Sequence, residues 1–95
     1  MVSNLKIESA ILSLIAKRGA QSSACPSEVA RALAPDEWRE LMPHVRSVAW
    51  SLRAQGLLDI TQRGVPVLKM DEVRGPIRIR QPTAPAESFP IGETP

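Results

Sequence analysis

Hydrophobic residues in the middle of the chain recur with the period of an α-helix. Those at positions i, i+3, i+4 and i+7 of this segment are Val45, Val48, Ala49 and Leu52. These spacings place the four side chains on one face of a helix. Gly56 is a typical helix stop, so the pattern predicts a helix over residues 43–55 with one buried face.

After this helix the apolar period changes to that of β-strands. Leu58, Ile60 and Thr61 have the spacing of a strand, residues 65–68 form a second apolar run, and residues 63–64 between them are a typical turn. We therefore predict a hairpin over residues 57–68. Its second strand should lie at a sheet edge, because Pro66 has no N–H to donate. A helix that leads into a hairpin is typical of a winged helix.

A first helix is predicted over residues 5–18. Ser3 or Asn4 can cap its N-terminus, and Gly19 is a suitable stop. A polar connector with a short extended piece should follow the glycine. The apolar residues at helical spacing form the expected buried stripe: Ile7, Ala10, Ile11, Leu14 and Ile15.

A second helix is expected to begin at Pro26, where the missing proline N–H would have been unpaired in any case. Glu28 in its first turn suits the helix dipole. Pro35 disfavours helical geometry in Ala34 and should end the helix there.

The lead-in to the central helix is harder to assign. Asp36 can cap a short helical piece over residues 36–42, in which Trp38 is expected to belong to the core. Pro43 then predicts a kink or a fresh start. On this interpretation residues 43–55 are the second helix of a helix-turn-helix, with a lead-in longer than the usual turn of three or four residues.

A further strand is predicted near residue 80. Ile77 and Ile79 alternate with Arg78 and Arg80, as in a half-buried strand that joins the hairpin or runs along the first helix. Two interpretations of these arginines, together with Arg74, are equally open. They form a phosphate-facing row, or they are the solvated side of an edge strand that charge protects from aggregation.

Together these elements predict one domain over residues 1–80. It would be mainly α with a small β-hairpin, a winged helix-turn-helix made of a three-helix core and a β-wing. Residues 81–95 are rich in proline and polar residues and predict a disordered tail.

Composition excludes several kinds of site. One cysteine cannot form an internal disulfide, and one cysteine with one histidine is too few for the common zinc sites. The first residues lack a signal-peptide pattern, and no apolar stretch approaches membrane-spanning length. We therefore expect a cytoplasmic protein with no membrane association, no metal and no small-molecule cofactor.

The positive charge is concentrated in the second half of the chain. The whole chain carries a net charge of +2, but residues 38–80 hold eight basic and four acidic side chains, a net of +4. Such a distribution is expected if that half of the domain faces a polyanion. Duplex DNA is the partner that this pattern favours.

The residues expected to bind DNA lie on the central helix and the hairpin tip. On a helical wheel, small and polar residues oppose the buried stripe and arginines flank them. Small side chains in the middle of this helix face allow the helix to enter the major groove, while the arginines at its edge reach phosphates. The candidates near base edges are His44, Ser47 and Trp50, and the candidates on phosphates are Arg46, Arg53 and, at the wing tip, Arg63.

An adaptor or dimerisation domain is the alternative, because winged helices also serve as protein-interaction modules. Its support is Trp50, which the wheel places away from the core, where an exposed tryptophan is typical of interface anchors. The alternative for Trp50 is that its side chain folds over onto the hairpin. Both functions can hold at once, since a homodimer would present two helices to a palindromic site.

An enzyme is not favoured. Cys25 precedes a helix, where the dipole can lower a thiol's pKa, but a free cysteine more commonly packs as a small hydrophobe. No nucleophile pattern accompanies His44, and the glycines do not form a phosphate-binding loop. The sequence predicts a non-enzymatic domain.

Three strings of the chain resemble a family of small bacterial proteins catalogued only as a domain of unknown function. They are CPSEVAR at 25–31, WRELMPHVR at 38–46 and GPIR at 75–78. The resemblance covers roughly residues 7–80. It implies a winged-helix-like fold and brings no activity, ligand or catalytic residue with it.

Overall fold

The computed structural model of the chain describes residues 2–67, 69, 73 and 75–82. Helices form most of this part, and a small antiparallel sheet completes it, as the sequence predicts. In chain order the elements are α1 (Asn4–Arg18), β1 (Ser23–Ala24), α2 (Pro26–Leu33), α3 (Trp38–Ala54), β2 (Asp59–Gln62), β3 (Val65–Pro66) and β4 (Arg78–Arg80).

Helix α1 begins and ends as expected. The Ser3 hydroxyl accepts a hydrogen bond from the Lys6 N–H at 3.2 Å, which satisfies one of the unpaired donors of the first turn. Gly19 follows the last residue with a φ of 89° and donates its N–H to the Ile15 carbonyl. The expected stripe is buried at Ile7, Ile11 and Ile15 and half-buried at Ala10 and Leu14.

Helix α3 runs unbroken from Trp38 to Ala54, so a fresh start at Pro43, one of the two predicted outcomes, is wrong. The N-cap is Glu37 and not Asp36. The Glu37 carbonyl accepts from the Leu41 N–H at 3.3 Å, so a hydrogen-bonded turn exists before the proline is reached.

Packing explains why the proline is tolerated. The Pro43 ring faces solvent, and the helix loses only the bond to the carbonyl four residues earlier. A continuous apolar stripe spans both sides of this position and is buried throughout its length. It consists of Leu41, Val45, Val48, Ala49 and Leu52. Because the helix starts at Trp38, only residues 34–37 connect α2 to α3.

The sheet has the order β1-β4-β2-β3, with all pairs antiparallel. The predicted hairpin is confirmed as β2 and β3, and Pro66 lies on the edge strand. Strand β4 is interior, since Ile79 pairs with Ala24 on one side and Ile60 on the other. The interpretation of β4 as an edge strand is therefore wrong.

The core lies between the helices and one face of this sheet. Apolar side chains from all three helices and from β1, β2 and β4 are almost fully excluded from solvent. The largest of them are Ile7, Ile11, Leu52, Leu58, Ile60 and Ile79. This layer determines which side of α3 is turned outward.

A polar network joins β4 to the connection between α1 and α2. Arg78 donates to the Ser23 carbonyl and to its hydroxyl, both at 3.0 Å, and Arg18 donates to the same carbonyl at 3.2 Å. Arg18 also forms an ion pair with Glu28, whose other oxygen accepts from the Cys25 N–H at 3.0 Å. This last bond is the one that an acid at the third helical position makes in a capping box.

Arg80 is held in the same region. It donates to the Ala20 carbonyl at 2.9 Å, and the Gln81 amide donates to the Ile15 carbonyl at 3.1 Å. Arg78 and Arg80 thus fasten β4 to the chain and do not form a free phosphate-facing row. Arg74, Leu68 at the end of the predicted hairpin, and the predicted tail from residue 83 onward lie outside the described residues.

Acid should weaken the polar network that joins β4 to the connection between α1 and α2. The backbone hydrogen bond from Cys25, with the guanidinium groups of Arg18 and Arg78, holds the pKa of the Glu28 carboxyl below its ordinary 4.5. A lowered folded-state pKa contributes stability that is complete above pH 4.5 and is lost as the pH falls through the folded value. We expect Glu28→Gln to flatten the dependence of Tm on pH below about pH 5. The control is Glu8→Gln on α1, and an unchanged acid profile in Glu28→Gln would contradict the assignment.

Replacing the proline should strengthen α3. Pro43→Ala restores one backbone hydrogen bond in an exposed helical position, so we expect the free energy of unfolding to rise by about 1 to 3 kcal/mol. Urea denaturation measures this change. Ser47→Ala, one turn later on the same exposed side, is the control and should change stability by less than about 0.5 kcal/mol. A less stable Pro43→Ala variant would contradict this prediction, because it would show that the proline itself stabilises the packing of α3.

Candidate nucleic-acid interface

The outward side of α3 carries a row of arginines. Arg39, Arg46 and Arg53 are seven residues apart, and this spacing keeps them on one side of a helix with a drift of about 20° per step. The row exists only because α3 is unbroken at Pro43. Sequence reasoning, which expected a break there, included Arg46 and Arg53 among the site residues and missed Arg39.

The arginines predicted to contact phosphates have no other polar partner among the described residues. Within the described part of the chain, the side chains of Arg46, Arg53 and Arg63 form no ion pair or hydrogen bond. Arg46 and Arg63 are exposed, and Arg53 is half-buried, as expected when an aliphatic stem covers apolar surface below a charged head. None of the described residues therefore occupies these guanidinium groups.

A shallow depression of about 480 Å³ lies along the row. Its lining residues all belong to α3 and are Arg39, Met42, Pro43, Arg46 and Ser47. The structure therefore brings Arg46 and Ser47 together, as the wheel predicts. The Ser47 hydroxyl beside Arg46 can accept or donate hydrogen bonds at a base edge while the arginines contact phosphates.

His44 lies elsewhere. It lines a different depression, on the side of α3 that faces Val2, and its companions there include the acidic Glu37 and Glu40. The structure does not bring His44 together with Arg46 or Ser47. The two carboxylates would oppose the approach of a nucleic acid from that side.

Trp50 does not face away from the core, so that expectation is wrong. Its side chain is half-buried and packs against the core cluster. It lines a depression with Arg46, Val73 and Ile77, because the chain that enters β4 passes beside this part of α3. The wheel could not show this contact, which comes from a segment more than twenty residues away in the sequence.

Two arginines contact the ring of the other tryptophan, Trp38. The guanidinium carbon of Arg31 lies 4.3 Å from the centre of the Trp38 ring, and that of Arg39 lies 4.5 Å from it. Trp38 packs against the core as predicted, although its side chain is only half-buried. Sequence reasoning missed Arg31, since nothing in the spacing of α2 signals a contact with the start of α3.

The hairpin tip places Arg63 in a strained position. Arg63 has a φ of 55° and Gly64 a φ of 81°, the signature of a two-residue type I′ turn. Asparagine and glycine are the usual residues of such turns. The long basic side chain is thus held outward at the tip, although a shorter residue would suit the backbone better.

The described residues give no support to a metal site or to a membrane-spanning helix. No group of three or more His, Cys, Asp or Glu side chains among them could hold a metal ion. Cys25 Sγ accepts a hydrogen bond from the Ser27 hydroxyl at 3.0 Å. No helix of the described part is both long and apolar enough to cross a membrane.

Comparison with known proteins gives a family but no activity. The family model described as "Protein of unknown function (DUF3253)" matches residues 4–82. No curated protein matches the chain. The match covers all three helices and all four strands.

The turn at residue 63 offers a clean stability test. Asparagine adopts a positive φ more readily than arginine, whereas a β-branched residue does so only with strain. We expect Arg63→Asn to be as stable as the wild type or more stable by up to about 1 kcal/mol, and Arg63→Val to lose about 1 kcal/mol or more. Urea denaturation of the two variants decides the matter, and equal stabilities would argue against the type I′ turn.

Proposed function

The chain therefore belongs to the DUF3253 family, whose description names no activity, and we propose from its own residues that it is a non-enzymatic winged-helix domain that binds duplex DNA. Its role would be that of a small transcriptional regulator or nucleoid-associated factor in the cytoplasm.

The order of the elements supports a winged helix. Three helices are followed by a hairpin, and β1 lies between α1 and α2. Strand β4 follows the hairpin and pairs with both β1 and β2, and this pairing supports our interpretation of the hairpin as a wing. The connection at residues 34–37 has the length of a helix-turn-helix turn.

The row of arginines on α3 is the observation that carries the proposal. In the described part of the chain, the arginines near β4 are used to hold the fold together, as Arg18 and Arg78 do at Ser23. Among the described residues Arg46 and Arg53 have no such partner, and they lie on one side of a single helix. Unpaired guanidinium groups in a row match the repeating charge of a phosphate backbone.

In the proposed complex α3 enters the major groove. Ser47 would face base edges, flanked by Arg46 on a phosphate, while Arg63 at the wing tip would reach the adjacent backbone. His44 and Trp50, which the sequence placed near base edges, take no part in this proposed arrangement. His44 lies beside carboxylates, and Trp50 is half-buried. A homodimer would place two such helices on a palindromic site.

The alternative is an adaptor or dimerisation module. It depended on an exposed Trp50, and the half-buried side chain found there gives it less support than the unpaired arginines give to DNA binding. We therefore develop the DNA-binding function.

The test is a titration of random duplex DNA at several salt concentrations. Arg46→Gln/Arg53→Gln removes two charges and keeps much of the side-chain stem. We expect this double variant to bind duplex at least about tenfold more weakly, with the slope of log K against log salt reduced by about 0.9 for each lost phosphate contact.

The control variant is Lys6→Gln/Lys17→Gln, which removes the same charge from exposed positions of α1. It should keep nearly the wild-type affinity and slope. Equal losses in the two double variants would mean that binding depends only on net charge, and absence of duplex binding by the wild-type chain at low salt would remove the proposed function.

A further inference from the structure

We infer that Arg31 and Arg39, held against the Trp38 ring, form a second phosphate-binding pair that extends the DNA interface from α3 onto α2. The inference rests on the proposed function and deepens it. It assigns a role to two residues that the sequence did not single out.

The pair is assembled by the turn between the two helices. Arg31 lies in the last turn of α2, and Arg39 lies in the first turn of α3. Both are exposed, and both guanidinium carbons lie within 4.5 Å of the centre of the same indole ring. The ring attracts each cation through its negative face, so it limits the positions that the two long side chains can adopt.

The charges of this pair are not compensated by carboxylates. Arg31 and Arg39 take part in no ion pair among the described residues. Glu28, the acid nearest to Arg31 in sequence, pairs with Arg18, and the acids nearest to Arg39 that flank it, Glu37 and Glu40, line the depression that holds His44. Two cations that share one ring repel each other, and a phosphate that accepts hydrogen bonds from both would relieve that repulsion.

The pair is also continuous with the row on α3. Arg39 contacts Trp38 and at the same time lines the depression that Arg46 bounds at its other end. A single phosphate backbone can therefore pass from Arg31 through Arg39 to Arg46. Since the carboxylates occupy the other depression, the backbone would approach from the side of Ser47.

Trp38 acts in this site as a positioning residue. A ring that already has two guanidinium groups at 4.3 and 4.5 Å offers little free face to an unstacked base. The site should thus contact the sugar-phosphate backbone of duplex DNA without reading its sequence. Its contribution should be the same on any duplex.

The experiment compares Arg31→Gln/Arg39→Gln with the charge-matched Lys6→Gln/Lys17→Gln in the full chain. The probes are random duplexes of two different base compositions, titrated at several salt concentrations. The arginine variant should lose affinity about equally on both duplexes, and its salt slope should fall by about 0.9 for each phosphate contact removed. The lysine variant should retain nearly the wild-type slope.

Two further variants separate positioning from folding. Trp38→Phe keeps an aromatic face and should restore most of the affinity that Trp38→Leu loses. Both should keep a salt slope close to that of the wild type, because both retain the two arginines. The Tm of each variant is measured alongside, and a loss of affinity that follows Tm in both would overturn the positioning role.

The failures of the two proposals are distinguishable. If Arg46→Gln/Arg53→Gln weakens duplex binding and Arg31→Gln/Arg39→Gln does not, the second pair is overturned and the proposed function stands. If the wild-type chain binds no duplex at low salt, both are overturned. Arginine-dependent binding to a poly-glutamate peptide without binding to duplex would assign the pair to an acidic protein and would likewise overturn the inference.

Discussion

The buried stripe of α3 is the constraint on which the rest of the structure depends. Leu41 and Leu52 stand at its two ends, and the residues between them pack under α1, α2 and the sheet. This packing offsets the hydrogen bond that Pro43 cannot make, so the helix continues through the proline. One uninterrupted helix with one buried side necessarily has one outward side, and the proposed interface is that side.

The arginines of the domain divide into two groups by environment. Those near β4 donate to carbonyls and a carboxylate and are part of the fold, as Arg18, Arg78 and Arg80 show. Those on α3 and at the hairpin tip have no such partners in the described residues, although Arg39 contacts an aromatic ring. Net charge alone could not make this distinction, because both groups add equally to it. The distinction comes from backbone carbonyls that only the folded chain brings into reach.

Local patterns predicted the local elements well. The period of isoleucines, the Ser3 cap and the Gly19 stop are sufficient for α1, and Pro66 correctly indicated an edge strand. Pro43 misled the prediction of α3, because the tertiary packing that overrides a proline is not visible in the chain around it. That error also hid the seven-residue spacing of Arg39 from the arginines that follow.

The features that could not be predicted are contacts between distant segments. Trp50 is covered near Val73 and Ile77, and Arg31 reaches Trp38 across a turn. A helical wheel treats each helix as if it were alone and therefore assigns such side chains to solvent. The same limitation made β4 look like an edge strand, since the pairing partner Ser23 lies far away in the chain.

The central place of β4 has a consequence for how the chain acquires its structure during synthesis. Arg78 is bonded to Ser23 across a separation of 55 residues, and within the described sheet β1 and β2 are joined through β4, the last of the described strands. Closing so long a loop must precede any gain from these pairs, which slows folding. The ribosome must therefore release almost the entire domain before the sheet can close. Until then the sheet that covers the helices lacks its interior strand.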